Sequence, residues 1–501
     1  MKEIENKESQ TDKPNEIKTP DTLKETSDKK DRFGDTLDSC SSTDGSKHQD
    51  GNLAQTKTKE AQTDRTKISE AKANPKTPEA KKEAYASNLD NLSSTGSLKK
   101  TDNSENKRLE QTEGVKEITQ PYYDNAEELA KTSEKGKNFT DHTEDHVEQV
   151  AEKSVEAANS LEAAIKHGNF QTENHSPDHI PFAGNVDKAA LEGAALSHDT
   201  GMQGDGYAVF PYRDEDGRIQ FKKDADGNII VNKEDNEDFD QVRSNHSLNS
   251  AINVLANREK YKELGYTDEQ VDMMAAECMA HSKTSSGVGN LNSRQDWGTC
   301  FDCMEAVKEQ YNKDHPDAKI DFDRSRFENN DEKFGQLATS TLALRVGDVS
   351  RDSGPDAKSQ SGDEVHVNRE TINDGAGTPL GEVENADIKL GDEDMTNAFS
   401  RKIHAGEQNI TDNRTYCTED GTLCHEITIH DGTSAPECTI DAIDDHVKEF
   451  ASGKGGKYQI HLKFDQPCSA ETTENYRYYQ TVCAAYKNVE LVLPWDNKED
   501  T

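Results

Sequence analysis

The sequence predicts a mainly α protein. It has a helical bundle with a β-hairpin insertion, preceded by a disordered N-terminal region and followed by a small C-terminal α/β domain. Three observations support this fold class. Apolar residues recur at helical spacing through the middle of the chain but are sparse before it. Strand-like runs with Asp-Gly turns interrupt the helices. After residue 407, strand and helix patterns alternate.

The N-terminal region, residues 1–120, is polar and of low complexity. The whole chain of 501 residues carries a formal net charge of -39 and contains 30% hydrophobic residues, against roughly 45–50% in an ordinary globular domain. Before Pro121 the only aromatic residues are Phe33 and Tyr85. Such a segment cannot bury enough apolar surface to offset the entropy lost on ordering. We expect it to be disordered and to be able to recruit a protein partner by folding on binding.

Composition also narrows the classes of function. No apolar run approaches the ~20 residues of a membrane span, and the N-terminus lacks the apolar core of a secretory signal. The nine cysteines show no disulfide framework, so we predict a cytoplasmic protein without a membrane partner. The acidity argues against stable nucleic-acid binding. A small phosphorylated substrate stays compatible with it, because a metal ion can supply local positive charge.

Residues 121–352 carry the pattern of a helical bundle. Its first two helices are expected at about 141–167 and 186–197, and the second is nearly all apolar and therefore central. Between 202 and 245, three alternating runs punctuated by two Asp-Gly pairs predict the β-hairpin insertion. Further helices are expected at about 246–264, 267–282, 300–313 and 331–349.

The last part of the chain contains a linker and a second small domain. Residues 353–406 include a Gly, Asp and Ser-rich stretch and are predicted to connect the two domains. In residues 407–501 the pattern is strand, helix, strand, helix, strand, which predicts an α/β domain of unknown role. The strands are expected near 425–429, 458–464 and 489–493, and the helices near 440–452 and 470–486.

Ligand-type residues lie at or near the ends of the predicted bundle helices. They are His146, His198, Asp199, His246, His281 and Asp348. Imidazole and carboxylate groups together suit a borderline or hard divalent metal. The adjacent pair His198 and Asp199 cannot share one helix face, so both can reach a metal only where the helix ends, and Gly201 permits that. His142 is an alternative first ligand, although His146 lies one turn from Val150 on the inward face.

The order and flanks of these residues resemble the HD-domain superfamily of metal-dependent phosphohydrolases over about residues 137–352. The phrases that carry the resemblance are Thr-Asp-His-x3-His-Val-x2-Val, Ala-Ala-Leu-x-His-Asp-x-Gly and Arg-Val-Gly-Asp. It implies an HD-type helical bundle in which His146, His198, Asp199 and Asp348 hold one divalent ion. His246 and His281 correspond to the extra histidines of the binuclear branches.

Two departures from the family pattern leave the number of metal ions open. Some binuclear members have two consecutive histidines where this chain has His281-Ser282, and the Gly-Tyr-Pro signature of the cyclic-dinucleotide branch is absent. The resemblance therefore implies one or two ions per chain, of Mn, Fe, Mg or Zn. His246 and His281 could alternatively be core histidines without a ligand role.

The resemblance implies hydrolysis of a phosphomonoester or phosphodiester, in a nucleotide, by a metal-activated water. Asp199 would bridge the metals and orient the water, and Lys283 and Arg243 would contact the phosphate. Arg345 and Arg351 are further candidates for that contact, and each of these cations could instead be a solvated surface charge. An alternative function is a non-catalytic, metal-stabilised binding or scaffold module whose disordered tail recruits a partner.

Overall fold

The computed structural model describes most of the chain after residue 101. The described residues are 102–132, 144–169, 176–215, 217–282, 286–350, 410–430, 458–484 and 489–496, with residues 439, 440, 443, 444, 447 and 486 in addition. The predicted disordered residues 1–101 and the predicted linker lie outside them. So do His142, Lys283, Arg351 and most of the predicted helix at 440–452.

The described structure is mainly helical, as predicted. Its first part contains α1 (Asp102–Thr132), α2 (Glu144–Lys166), α3 (Lys188–Ser197) and a 3-10 turn (Thr200–Gln203). Four short strands follow: β1 (Tyr207–Ala208), β2 (Pro211–Arg213), β3 (Ile219–Phe221) and β4 (Asn232–Lys233). The bundle then continues with α4 (Phe239–Ala256), α5 (Arg258–Glu263), α6 (Asp268–Ala280), α7 (Arg294–Asp314), α8 (Ser325–Glu328) and α9 (Asp331–Val349).

Local capping sets the helix starts. The Asp187 side chain accepts hydrogen bonds from the first turn of α3, and Asn330 does the same for α9. At α6, Thr267 and Gln270 form a capping box, as their spacing of three residues before an apolar run predicts. Each cap satisfies backbone N–H groups that have no partner within the helix. The central helix α3 is buried from Ala190 to Ser197, as its apolar sequence predicts.

The expectation of disorder up to residue 120 is wrong for residues 102–120, because α1 begins at Asp102. Its Val115, Ile118 and Tyr123 are buried in the main core. The low apolar content of residues 1–120 hides this short amphipathic stretch. Proline usually interrupts a helix because it has no backbone N–H, yet Pro121 lies inside α1.

The insertion between α3 and α4 is a pair of two-stranded antiparallel sheets, in the order β1–β4 and β2–β3. The β2–β3 hairpin turns at Gly217, where φ is 76°. The last of the three alternating runs, at 228–231, was expected to be a strand but forms only a single bridge, between Ile229 and Lys223. Asn232–Lys233 pair with β1 instead. Asn245 and Asn249 of α4 accept hydrogen bonds from the backbone of Val209 and Tyr207. The base of the insertion is thereby fixed to the helix that carries His246.

In the described residues of the C-terminal domain, four strands form one sheet and one helix is continuous; the strand order is β5–β6–β7–β8. The elements are β5 (Ile410–Cys417), β6 (Leu423–Ile429), β7 (Tyr458–Phe464), α10 (Ala470–Cys483) and β8 (Val489–Val492). Strand β5, which sequence analysis missed, is antiparallel to β6, whereas β6, β7 and β8 are parallel.

The edge strand β5 packs against helix α2 of the bundle. Lys153 donates to the Asn413 carbonyl, Glu156 accepts from the Thr415 N–H, and Ser160 donates to the Thr415 carbonyl. These side chains satisfy edge backbone groups that would otherwise be open to another strand. Among the described residues, no helix is both long and apolar enough to cross a membrane.

Candidate metal centre

The structure brings all six predicted ligand residues together in the bundle. His146 lies in the first turn of α2, His198 and Asp199 directly follow α3, and His246 lies within α4. The last two, His281 and Asp348, lie at the end of α6 and in the last turn of α9. They form overlapping groups whose ligand atoms lie within 4.8 Å of one another. These buried histidine and aspartate groups could therefore hold a metal ion.

The carboxylate of Asp199 has imidazoles on both sides. Its Oδ2 atom lies 3.3 Å from Nε2 of His146 and 3.2 Å from Nε2 of His198. Its Oδ1 atom lies 3.3 Å from Nε2 of His246 and 3.7 Å from Nε2 of His281. The two oxygens of one carboxylate thus face two different pairs of nitrogen ligands.

His146, His198 and Oδ2 of Asp199 form the first ligand group, and His246, His281 and Oδ1 of Asp199 form the second. Asp348 completes the first group. Its Oδ1 atom lies 3.3 Å from Nε2 of His146 and 3.4 Å from Nε2 of His198. The Asp348 side chain is 29% exposed, whereas those of the other five ligand residues are at most 3% exposed. Among the six, Asp348 therefore marks the side of the centre that is nearest to solvent.

Three of the imidazoles are held in the same tautomer by their own helices. Nδ1 of His198, His246 and His281 lies within 2.6 Å of the backbone carbonyl three residues earlier, on Ala195, Arg243 and Cys278. A carbonyl can only accept, so Nδ1 must carry the proton. When such a ring is neutral, its lone pair is therefore on Nε2, which points into the centre, as in metal-ligating histidines whose other ring nitrogen donates a hydrogen bond.

The contacts between these Nε2 atoms fit a cation. Nε2 of His246 lies 2.9 Å from Nε2 of His281, and in this tautomer both atoms carry lone pairs. Two facing lone pairs repel unless a proton or a metal ion lies between them. Nε2 of His198 is fully buried beside two carboxylate oxygens and forms no well-aligned hydrogen bond with any described residue. Divalent ions bound in this centre would satisfy all three nitrogens.

The carboxylates give the first group a strong preference for positive charge. Burial by itself lowers the pKa of His198, but Asp199 and Asp348 more than offset it and raise this pKa to about 10. Burial by itself raises the pKa of Asp348, but His146 and His198 more than offset this effect and hold that pKa well below its usual value. A metal ion that binds to Nε2 of His198 would therefore have to displace a proton from that atom.

The second group is held neutral instead. Burial and the nearby Arg243 guanidinium lower the pKa of His246 well below its usual value. Burial and His198 lower the pKa of His281 to about 4. Both rings are therefore uncharged near pH 7, which is the state that binds metal.

The predicted phosphate contacts have different outcomes. Arg243 lies one turn before His246, with Nη1 3.2 Å from Nδ1 of that ring, so its charge is next to the second group. Arg345 is only 1% exposed and donates to the carbonyls of Ala280 and Val288. The alternative that Arg345 is a solvated surface charge is therefore wrong, because the burial of α9 commits its guanidinium to the backbone around His281. Lys283 and Arg351 lie outside the described residues.

Two glycines allow the ligand helices to approach closely. A Cβ at Gly347 would overlap the side chain of Ser154 on α2 and lie 2.7 Å from its backbone N, so this glycine lets α9 bring Asp348 to His146. A Cβ at Gly201 would overlap the His246 carbonyl and lie 2.8 Å from the Ser250 N. The sequence suggested that Gly201 lets the helix unwind, and the structure adds close packing against α4.

Sequence analysis did not single out Tyr123, which also borders the centre. Its hydroxyl donates to the Leu196 carbonyl at 2.7 Å, two residues before His198. The apolar spacing of Val115, Ile118, Tyr123 and Ala126 is a helical signal that could have revealed this residue.

Comparisons of this chain with protein-family models, with curated proteins and with solved structures find no match in any of the three.

Proposed function

We propose that this chain is an HD-type metal-dependent phosphohydrolase that cleaves a phosphomonoester or phosphodiester, with nucleotides as the expected substrates. The observation that carries the proposal is the carboxylate of Asp199, whose two oxygens each face a pair of histidine Nε2 atoms. This arrangement suits a carboxylate that would supply a ligand oxygen to each of two divalent ions. The order of the ligand residues along the chain and their flanking motifs add independent support.

In this proposal His146, His198, Asp199 and Asp348 would hold one ion, and Asp199, His246 and His281 would hold a second. When bound, divalent ions at such a centre would supply Lewis acidity, which lowers the pKa of bound water toward about 7 and polarises a phosphoryl oxygen. The carbonyls of Ala195, Arg243 and Cys278 keep the histidine rings oriented throughout. The role of the protein is to hold the ligands rigidly so that little reorganisation is needed during the reaction.

Arg243 and Asp348 have further roles in the proposal. The guanidinium of Arg243 lies beside the second group, where it keeps His246 neutral and could pair with a phosphate oxygen. Asp348 lies on the more exposed side of the centre, so we expect the substrate phosphate to enter from there.

The test is hydrolysis of a chromogenic phosphodiester, a chromogenic phosphomonoester and a panel of nucleotides by the purified full chain. Each reaction is run with Mn²⁺, with Mg²⁺ and with a chelator. We expect metal-dependent turnover that His198→Ala and Asp199→Asn each reduce by at least about 100-fold, because the ligands act as one unit. His425→Ala is the matched control, since it removes a buried imidazole that is bonded to Thr415 in the C-terminal sheet.

A non-catalytic, metal-stabilised scaffold is the second candidate. The near-complete burial of five of the six ligand residues favours it, because structural metal sites are closed whereas catalytic ones keep an open position. The same assays separate the two functions. Metal binding without turnover of any substrate, together with unfolding upon chelation, would favour the scaffold and exclude the hydrolase for those substrates.

A further inference from the structure

The backbone at the end of α3 loses its regular hydrogen bonds at the ligand pair. In a continuing helix the Asp199 N–H would donate to the Ala195 carbonyl, and the Leu196 carbonyl would accept from residue 200. The Ala195 carbonyl instead accepts from Nδ1 of His198 at 2.6 Å. Backbone groups on both sides of His198 therefore need partners from another part of the chain.

The hydroxyl of Tyr123 supplies both partners. It donates to the Leu196 carbonyl at 2.7 Å, and a hydrogen bond from the backbone of Asp199 reaches the same hydroxyl. A phenol can donate and accept at the same time. One buried side chain, 2% exposed, thus connects the last turn of α3 to the residue that follows His198.

Other contacts fix helix α1, and with it the hydroxyl, on this turn. Ala126 and Ala130 of α1 form a small buried cluster with Met202 of the 3-10 turn. Nearer the start of α1, Nε of Arg108 lies 2.6 Å from the buried carboxylate of Glu192 on α3. The helix therefore holds both α3 and the turn that leaves it.

We propose that Tyr123 is a positioning residue of the metal centre, because its hydroxyl holds the backbone turn that presents His198 and Asp199 to the metal. This inference rests on the proposed function in one respect, which is that a divalent ion binds at the centre. Tyr123 acts through the backbone of the two ligands, so its loss changes their placement and leaves their chemistry intact.

The test compares Tyr123→Phe with Tyr458→Phe in the full chain. Tyr458 is a matched control, since it is 1% exposed and its hydroxyl donates to the Val447 carbonyl at 3.1 Å, in the C-terminal domain. Dissociation constants for Mn²⁺ are measured by chelator competition, and the absorption spectrum of the Co²⁺-loaded protein reports the coordination geometry.

We expect Tyr123→Phe to weaken Mn²⁺ binding by about 10–100-fold, the usual effect of losing an outer partner of metal ligands, and to change the Co²⁺ spectrum. Tyr458→Phe should match the wild type in both measurements. A purely structural role would lower the metal-free Tm in both variants and leave the spectrum unchanged. Wild-type Mn²⁺ affinity and spectrum in Tyr123→Phe, or equal weakening in both variants, would overturn the inference.

Met202→Ala is the second variant, and it decides the question if Tyr123→Phe does not fold. It loosens the packing of α1 on the turn and keeps the hydroxyl, so weaker Mn²⁺ binding supports the inference and unchanged binding overturns it. A wild-type protein that binds metal without hydrolysing any substrate overturns the proposed function alone. A wild-type protein that binds no metal overturns both.

Discussion

Gly201→Ala tests whether the close contact between the 3-10 turn and α4 sets the geometry of the second ligand group. The added Cβ would overlap the backbone carbonyl oxygen of His246 and lie 2.8 Å from the backbone N of Ser250. Non-bonded carbon atoms prefer separations of roughly 3.5–4.0 Å, so α4 must retreat by about 1 Å. Both obstacles are backbone atoms of one helix, so side-chain rotation cannot relieve the overlap.

A shift of this size separates His246 from Asp199, whose Oδ1 now lies 3.3 Å from Nε2 of that ring. Misplacement by about 1 Å can cost about 100-fold in catalysis, and we expect a comparable loss of turnover under the proposed function. Overpacking should also lower the free energy of unfolding by about 1–3 kcal/mol.

The assay measures Mn²⁺ affinity, turnover and thermal unfolding of the full chain. Gly298→Ala is the control, because Gly298 lies within α7 and its Cβ would meet nothing within 4 Å. That change should be neutral or stabilise the helix by up to about 1 kcal/mol. If Gly201→Ala binds Mn²⁺, turns over substrate and unfolds like the wild type, the reasoning about backbone contact at α4 is refuted.

Three further predictions concern the same bundle. Burial raises the pKa of Glu277 from 4.5 to about 8, so the folded protein holds a proton that the unfolded chain releases. Its stability is full below pH 4.5 and falls as the pH rises toward 8, by up to about 1.4 kcal/mol per pH unit. Glu277→Gln should remove this part of the pH dependence in denaturant unfolding, and parallel curves for the variant and the wild type would contradict it. Arg345→Met should lower the free energy of unfolding by about 3 kcal/mol or more, since it leaves the Ala280 and Val288 carbonyls without their buried donor. An unchanged urea midpoint would be evidence against that role. Chelation should lower the Tm of the metal-loaded wild type, because a ligand at 100 times its Kd stabilises the folded state by about 2.7 kcal/mol. In Asp199→Asn the Tm should be the same with metal and with chelator. A metal-induced Tm shift that survives in Asp199→Asn would place the ion elsewhere.

Much of the bundle was predictable because its signals are local. The last helix was expected near 331–349 and is observed at Asp331–Val349, since helical periodicity and the cap at Asn330 lie within one segment. The capping box at Thr267 was likewise readable from residues three apart. Strand β5 was missed because most of its residues are polar and because the surface on which it packs belongs to α2, where Ser160 lies 255 residues from Thr415.

The sequence by itself determined which residue types could form a metal centre and on which helices they lie, because imidazole and carboxylate side chains and helical spacing are properties of short segments. The HD-type identity stays a prediction from motifs. Only the tertiary structure decided that the two oxygens of Asp199 face different histidine pairs, that Arg345 points into the bundle, and that Tyr123 reaches the ligand turn. These facts depend on how helices far apart in the chain pack against one another, and the order of residues along one segment does not specify that.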